Sequence, residues 1–218
     1  MNPQGWMPTG TVYGTLLNYR GEWAHWAARM NEKPYLAPPV APVLYVKTAN
    51  TFTPHGGAIA LPAGEAVEVS ASLGLLVGAD GQPSHALLVN DVCVAHDSYH
   101  RPAVRHRCRD GFLGLPLEPT PLAWPGGLQA LADLAIELRI HGVHRQTTHL
   151  RDLVRDLPTL WRDVAGFMSL QPGDVLLTGS EVLADGGRPR VVAGDVVEIV
   201  APGLRPVLQR FDAGEVPA

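Results

Sequence analysis

Residues 66–78 (AVEVSASLGLLVG) and 85–97 (HALLVNDVCVAHD) are two strand-length runs, mostly apolar, joined through the turn-rich GADGQP of 78–83. In the first run Val67, Val69, Ala71 and Leu73 fall on one face, and Glu68, Ser70 and Ser72 on the other. Period-two alternation belongs to a strand, and runs of this length that reverse at a Gly/Asp/Pro turn pair as an antiparallel hairpin. Such a hairpin has to bury its apolar face against a second layer, which commits the chain to a layered β architecture.

The rest of the chain repeats the pattern in shorter units. Strands are expected at 11–17, 43–47, 58–64, 134–142, 173–179 and 194–200. Helical spacing is confined to 22–31 (Trp23, Trp26, Ala27, Met30) and 149–168, where Pro158 begins a second helix in its first turn. The 23 glycines and 20 prolines suit a turn-rich β protein, and KPYLAPPVAP (33–42) is a connector that is neither helix nor central strand. The expectation is an α+β chain, mostly β, a sandwich or roll with a few flanking helices. It divides into a small N-terminal segment (1–42: strand, helix, Pro-rich connector) and a main domain (43–218).

Several function classes are excluded by composition. A net charge of −4 argues against a nucleic-acid surface. Neither a dinucleotide nor a P-loop glycine signature occurs, and no Cys/His grouping has zinc spacing. The apolar runs are strand-sized, so no membrane partner is expected. The first ten residues lack a basic region and an apolar region, and Cys93 and Cys108 read as reduced thiols, so a cytoplasmic protein is expected.

Three stretches carry chemistry. Residues 96–112 hold His96, His100, Arg101, Arg105, His106, Arg107 and Arg109. Guanidinium forks take carboxylates in bidentate geometry, so the segment is either a site for a small dicarboxylate or a solvated, subunit-facing basic loop. Asp91 lies in an apolar strand, as a metal ligand or as a turn cap. In L-x-P-G-D-V-L-L-T-G (170–179), Thr178 and Gly179 stand at a strand end, where sites often form.

These pieces together resemble the fumarylacetoacetate hydrolase family, from about Gly10 to Gly203. The likeness is carried by Leu17-Asn18-Tyr19, Val46-Lys47 with Asn50-Thr51, Asn90-Asp91-Val92, Cys108-Arg109-Asp110-Gly111-Phe112, His141-Gly142, Pro172-Gly173-Asp174 with Thr178-Gly179, and Ala193-Gly194-Asp195. The runs SYHRPAV (98–104) and KPYLAPP (33–39) are similar to the N-terminal half, or first subunit, of the branch that isomerises 2-hydroxyhepta-2,4-diene-1,7-dioate and decarboxylates 5-carboxymethyl-2-oxo-hex-3-ene-1,7-dioate.

The resemblance implies a fumarylacetoacetate-hydrolase-like mixed β-sandwich roll and a small keto-dicarboxylate substrate in aromatic-acid breakdown. It also implies an oligomer, either of this chain or with a homologous metal-bearing subunit. Family members hold Mg²⁺ or Mn²⁺ with a Glu-x-Glu pair on one strand and an Asp on the next. Here Ser70 and Ser72 stand at the Glu positions and Asp91 alone is retained, so no cofactor is expected in this chain itself. Glu68 would reach a metal only by a register slip. Glu22 replaces the family's catalytic His, and Arg107 replaces a substrate-polarising Lys. By resemblance the catalytic candidates are Lys47, Glu22 and Arg107, and the substrate-binding candidates Arg101, Arg105, Arg109 and Thr178. Two roles follow: a largely non-catalytic subunit completing a metal-bearing paralogue, or an enzyme in which Lys47, Arg107 and Arg109 stabilise an enolate. A C–C hydrolase or decarboxylase acting on another keto acid would need the full metal triad.

Overall fold

The computed structural model describes residues 5–96, 104–123 and 125–214. The chain opens with β1 (Val12–Leu16), α1 (Arg20–Met30) and β2 (Val43–Lys47), followed by β3 (Phe52–Thr53), β4 (Ala58–Leu61), β5 (Val67–Glu68) and β6 (Ala71–Val77). Next come β7 (Pro83–Asp91), β8 (Cys93–Val94), the single-turn helix α2 (Val104–Arg107), β9 (Leu113–Gly114) and β10 (Thr120–Pro121). The last part is β11 (Ala135–Ile140), β12 (Val143–His149), α3 (Leu157–Ala165), β13 (Val175–Leu177), β14 (Arg190–Val191), β15 (Val196–Val200) and β16 (Val207–Ala213).

The largest sheet runs β2-β1-β13-β6-β7-β9-β3, with β10 added beside β7. The second runs β12-β11-β15-β16-β4, and a small third runs β14-β5-β8. The N-terminal segment is therefore woven in, because β1 lies between β2 and β13. Between the two larger sheets lies the main core. Ala71, Leu73, Leu75, Ala86 and Leu88 from one face Ile136, Leu138, Ile140, Val197, Ile199, Val207 and Phe211 from the other. Fully burying each Leu, Ile or Val contributes about 1.5–3 kcal/mol, so this layer supplies most of the driving force.

The expected hairpin is present, with a bend. Each of its strands leaves the large sheet and continues in the small one, at Val69-Ser70 and at Val92. The register is unbroken across the bend: Glu68 pairs with Cys93 and Ala71 with Asn90. Ser70 is therefore opposite Asp91, whose N–H donates to the Ser70 carbonyl at 2.9 Å.

The large sheet also curls. Tyr45 on β2 and Asp91 on β7 are four strand intervals apart, roughly 19 Å in a flat sheet. Yet the Tyr45 hydroxyl donates to the Asp91 carboxylate. The curl leaves a concave face that holds Val12, Leu87, Val89, Leu113, Leu115, Val175 and Leu177. Gly14 makes the curl possible on β1, since a Cβ there would run into the Tyr45 ring.

One expectation is corrected, and one strand was not anticipated. Residues 150–152 form one 3-10 turn, and only 157–165 are α-helix. The polar run Val143–His149 is a strand, because a β-partner on β11 supplies what its own pattern lacks. The start of α3 follows local rules: the Asp156 carboxylate accepts from Thr159 N–H at 2.9 Å, and Pro158 sits in the first turn. Hydrogen bonding by the Thr159 hydroxyl, and then by its N–H, holds the Asp156 carboxyl below its ordinary value. Asp156→Ala should cost about 1 kcal/mol, read as a lower urea midpoint with unchanged slope.

Candidate functional site

The two Gly-Asp turns are fasteners. Asp174 accepts from Thr11 N–H at 2.7 Å and from Gln171 N–H at 2.8 Å, tying the start of β1 to β13. Asp195 accepts from Val192 N–H and pairs with His141, both at 2.9 Å. Asn50 does similar work, donating to the Cys108 carbonyl and to the Asp110 carboxylate, at 3.0 and 2.6 Å. Asn18 accepts from Arg155 N–H at 3.0 Å and donates to the Thr178 carbonyl at 3.1 Å. Much of the motif set in 10–203 is thus turn and strand-end hardware that fixes where the charged groups stand.

Those groups gather on the concave face, beside the residues that the family resemblance offered as metal-ligand positions. Ser70, Ser72 and Asp91 share that face and are at most 1% exposed. Strand alternation and the Ser70–Asp91 register account for this. The Lys47 ammonium lies 2.7 Å from Asp91 Oδ1. Its three protons are matched by the carbonyls of Val92, Arg107 and Phe112 at 2.7, 2.9 and 2.8 Å, so its contact with Asp91 is an ion pair rather than a fourth hydrogen bond. Arg107 Nη1 donates to Oδ2 at 3.0 Å, and its guanidinium lies 4.4 Å from the Tyr45 ring centroid.

The electrostatics follow from burial and pairing. Burial raises the Asp91 carboxyl, but Lys47 and Arg107 outweigh it and leave it below its ordinary value. Burial lowers the Lys47 ammonium, and Asp91 offsets that only in part. Burial and the neighbouring carboxylate push the Tyr45 hydroxyl well up, so it stays a neutral donor.

Glu22 is elsewhere. One of its oxygens accepts from Leu17 N–H at 2.6 Å, and the other meets Arg188 Nη2, also at 2.6 Å. Glu181 holds the start of the same helix, accepting from Gly21 and Glu22 N–H at 3.1 and 2.8 Å. A carboxylate there suits the helix dipole. Arg188 Nε also donates to Ser180 Oγ at 3.2 Å.

The proposed substrate-binding set does not converge. Arg101 lies outside the described residues. Arg109 pairs with Glu65 at 2.5 Å, and Arg105 lies 3.9 Å from the same carboxylate, with 76% of its side chain exposed. Thr178 is buried beside Tyr19, away from the basic cluster. Thus Lys47 and Arg107 meet on Asp91, Glu22 is bound to Arg188, and Arg105 and Arg109 face outward.

Sequence reasoning missed Tyr45 and Arg188. The register of β2 could have indicated Tyr45, since it sits two residues before Lys47 on the same face. Nothing local marks Arg188. It belongs to a cleft of about 440 Å³ lined by His25, Arg29, Glu68, His96, Arg188 and Arg190. At its edge His96 stacks on His106, with ring centroids 4.7 Å apart.

As a metal centre this donor set is poor. It offers one carboxylate already facing two cations, and two neutral hydroxyls. Among the described residues, no group of three or more His, Cys, Asp or Glu is placed to hold an ion. Among the described residues no helix is long and apolar enough to cross a membrane.

Residues 11–211 match the family described as fumarylacetoacetate (FAA) hydrolase C-terminal. The 4-hydroxyphenylacetate degradation bifunctional isomerase/decarboxylase of Salmonella dublin is 34% identical over 205 residues, covering 89% of this chain and 45% of that protein. The chain thus spans about half the length of the curated relatives it matches. Among solved structures, 5-carboxymethyl-2-hydroxymuconate delta-isomerase from Mycobacterium smegmatis superposes with a TM-score of 0.75 at 19% identity, covering 96% of this chain and 79% of that one. Maleylpyruvate hydrolase from Sphingobium sp. SYK-6, solved with manganese(II) and pyruvate, gives 0.72 at 21% identity, covering 95% and 72%. By sequence match and by fold, the chain belongs to the fumarylacetoacetate hydrolase family.

Proposed function

We propose that this chain is the metal-free half of an isomerase/decarboxylase acting on unsaturated keto-dicarboxylates in aromatic-acid catabolism, and that it completes a homologous, metal-bearing half. The observation that carries this reading is the state of Asp91. Lys47, Arg107 and Tyr45 engage its two oxygens inside a sealed centre, and serines stand where the family has glutamates. Hard divalent ions need several anionic oxygens to offset the loss of their water. Here a dication would enter beside two fixed positive charges with one shared carboxylate to receive it.

The alternative is a working enzyme in which Lys47 and Arg107 stabilise an enolate and Glu22 moves the proton. Geometry speaks against it. Lys47, Arg107 and Glu22 are each 1% exposed, and Glu22 is committed to Arg188 and to Leu17 N–H. In the proposed assembly the resident chemistry, stabilisation of the developing enolate, belongs to the partner's metal. This chain contributes fold and interface. The half-length match to the Salmonella relative supports a second unit of similar size.

The test is calorimetric titration of the purified chain with Mg²⁺ and Mn²⁺, paired with an isomerase assay on 2-hydroxyhepta-2,4-diene-1,7-dioate. The expected result is no saturable metal heat and no turnover by the chain alone, with turnover appearing when a homologous chain bearing Glu-x-Glu is added. Micromolar metal binding together with turnover by the chain alone, both lost in Asp91→Asn, would overturn the reading.

A further inference from the structure

Arg20 is the first residue of α1, where a positive charge opposes the helix dipole. Arg151 lies in the 3-10 turn that precedes α3. The backbone brings the two segments together. Tyr19 bridges to Leu153 in antiparallel register, and Val154 N–H donates to the Asn18 carbonyl at 2.9 Å. Both arginines line one cleft of about 350 Å³, whose other walls include Leu128, Ala132 and the first turn of α3.

Neither guanidinium is committed. Arg155 and Arg162, a few residues further on, are paired with Asp163 at 3.2 and 3.1 Å, but Arg20 and Arg151 enter no ion pair among the described residues. The one carboxylate that lines the cleft, Asp156, is turned to Thr159 N–H at 2.9 Å as the cap of α3. Asp152, next to Arg151, does not line it. Two unmatched positive charges therefore face one engaged negative charge. The floor is of another kind. Leu150, Leu153 and Leu157 form it and are at most 4% exposed, so it is an apolar surface fixed by core packing.

Guanidinium forks grip carboxylates, and an apolar floor takes hydrocarbon out of water. The volume lies at the lower end of small-ligand pockets, about 300–1,000 Å³, with room for one ring rather than a run of residues. A bound anion would also answer the charge that Arg20 sets against the helix dipole, a local conflict that no described residue resolves.

We propose that this cleft binds a small carboxylate with an apolar body the size of one ring. Its carboxylate lies between Arg20 and Arg151, and its body rests on Leu150, Leu153 and Leu157. The site shares no lining residue with the Asp91 cluster, so it stands whether or not that cluster holds a metal.

The experiment is calorimetric titration of the full chain with benzoate, and with benzyl alcohol and acetate as probes lacking the charge and the ring. Saturable benzoate binding at about 1 mM or below is expected, with both controls at least about tenfold weaker. Arg20→Gln and Arg151→Gln change exposed side chains, so each should keep the parent's urea midpoint and weaken benzoate roughly fivefold. Ala132→Phe fills the cleft without touching its charge and should abolish binding. If that variant does not fold, the arginine variants decide. No saturable benzoate binding, equal binding of the controls, or a double arginine variant that binds like the parent overturns the site. So does a double variant that leaves the heats unchanged but loses association with a homologous Glu-x-Glu chain, which would make the cleft part of an interface.

Discussion

Asp91→Ala will destabilise the chain by about 3–5 kcal/mol, enough to unfold many domains, because it strands two cations inside the curled sheet. Lys47 would keep its three carbonyl acceptors, but Arg107 Nη1 would lose the carboxylate it pairs with. Urea unfolding reads the loss directly. A companion variant makes the argument specific. Replacing Asp91, Lys47 and Arg107 together by apolar residues of similar volume should cost far less than the sum of the single changes, because nothing charged remains to be desolvated. If Asp91→Ala is as stable as the parent, the cluster is not the internal ion network described above. The pH dependence carries its own sign. The Asp91 carboxyl is lower in the folded chain than its unfolded value of about 3.9. Its contribution is therefore complete above that value and is lost as pH falls through it toward the folded one. Asp91→Asn should flatten the acid limb of stability in that window.

The second large effect comes from a residue with no side chain. Gly14→Ala puts a methyl group into the Tyr45 ring, which lies over Gly14 across the β1–β2 pair. The backbone of Gly14 is ordinary, so the penalty is steric rather than conformational. Displacing the ring would take the hydroxyl from Asp91 and the aromatic face from Arg107. A loss of about 3 kcal/mol is expected, at the upper end for overpacking. Gly14→Ala/Tyr45→Ala should be no less stable than Tyr45→Ala alone, since the clash is gone. Additive costs would show that the two residues act independently.

How much of this could be read in advance depends on the range of the interaction. The 66–97 hairpin, β2 and the buried alternation of β11 rest on local period-two patterns, and they came out where those patterns put them. So did the start of α3, because Asp156 and Pro158 act within one turn. β12 did not: His144, Arg145, Gln146, Thr147 and Thr148 form a strand because β11 offers an edge, which no window of sequence contains. Of the site, family likeness singled out Ser70, Ser72 and Asp91, and strand alternation was enough to put them on one buried face. That Lys47 and Arg107 both end on Asp91 was not visible, since it depends on the curl that brings β2 over β7. Glu22 illustrates the same limit. Its position suggested a base, and only the distant Arg188, 166 residues further along the chain, shows that it is held in an ion pair.

The unbroken register of the bent hairpin also limits how this fold can drift. Because the same two strands are laced into one sheet below the bend and another above it, a residue inserted between Glu68 and Ala71 could not be absorbed at either end. It would turn Ser70 away from Asp91 or pull β5 out of step with both β8 and β14. Length changes are tolerable toward the reversal, where a bulge between Leu76 and Val77 already shifts the register ahead of the turn at 78–82. The side chains at 70 and 72 can therefore be exchanged while their placement beside Asp91 stays fixed, and such a scaffold can change what it holds without changing where it holds it.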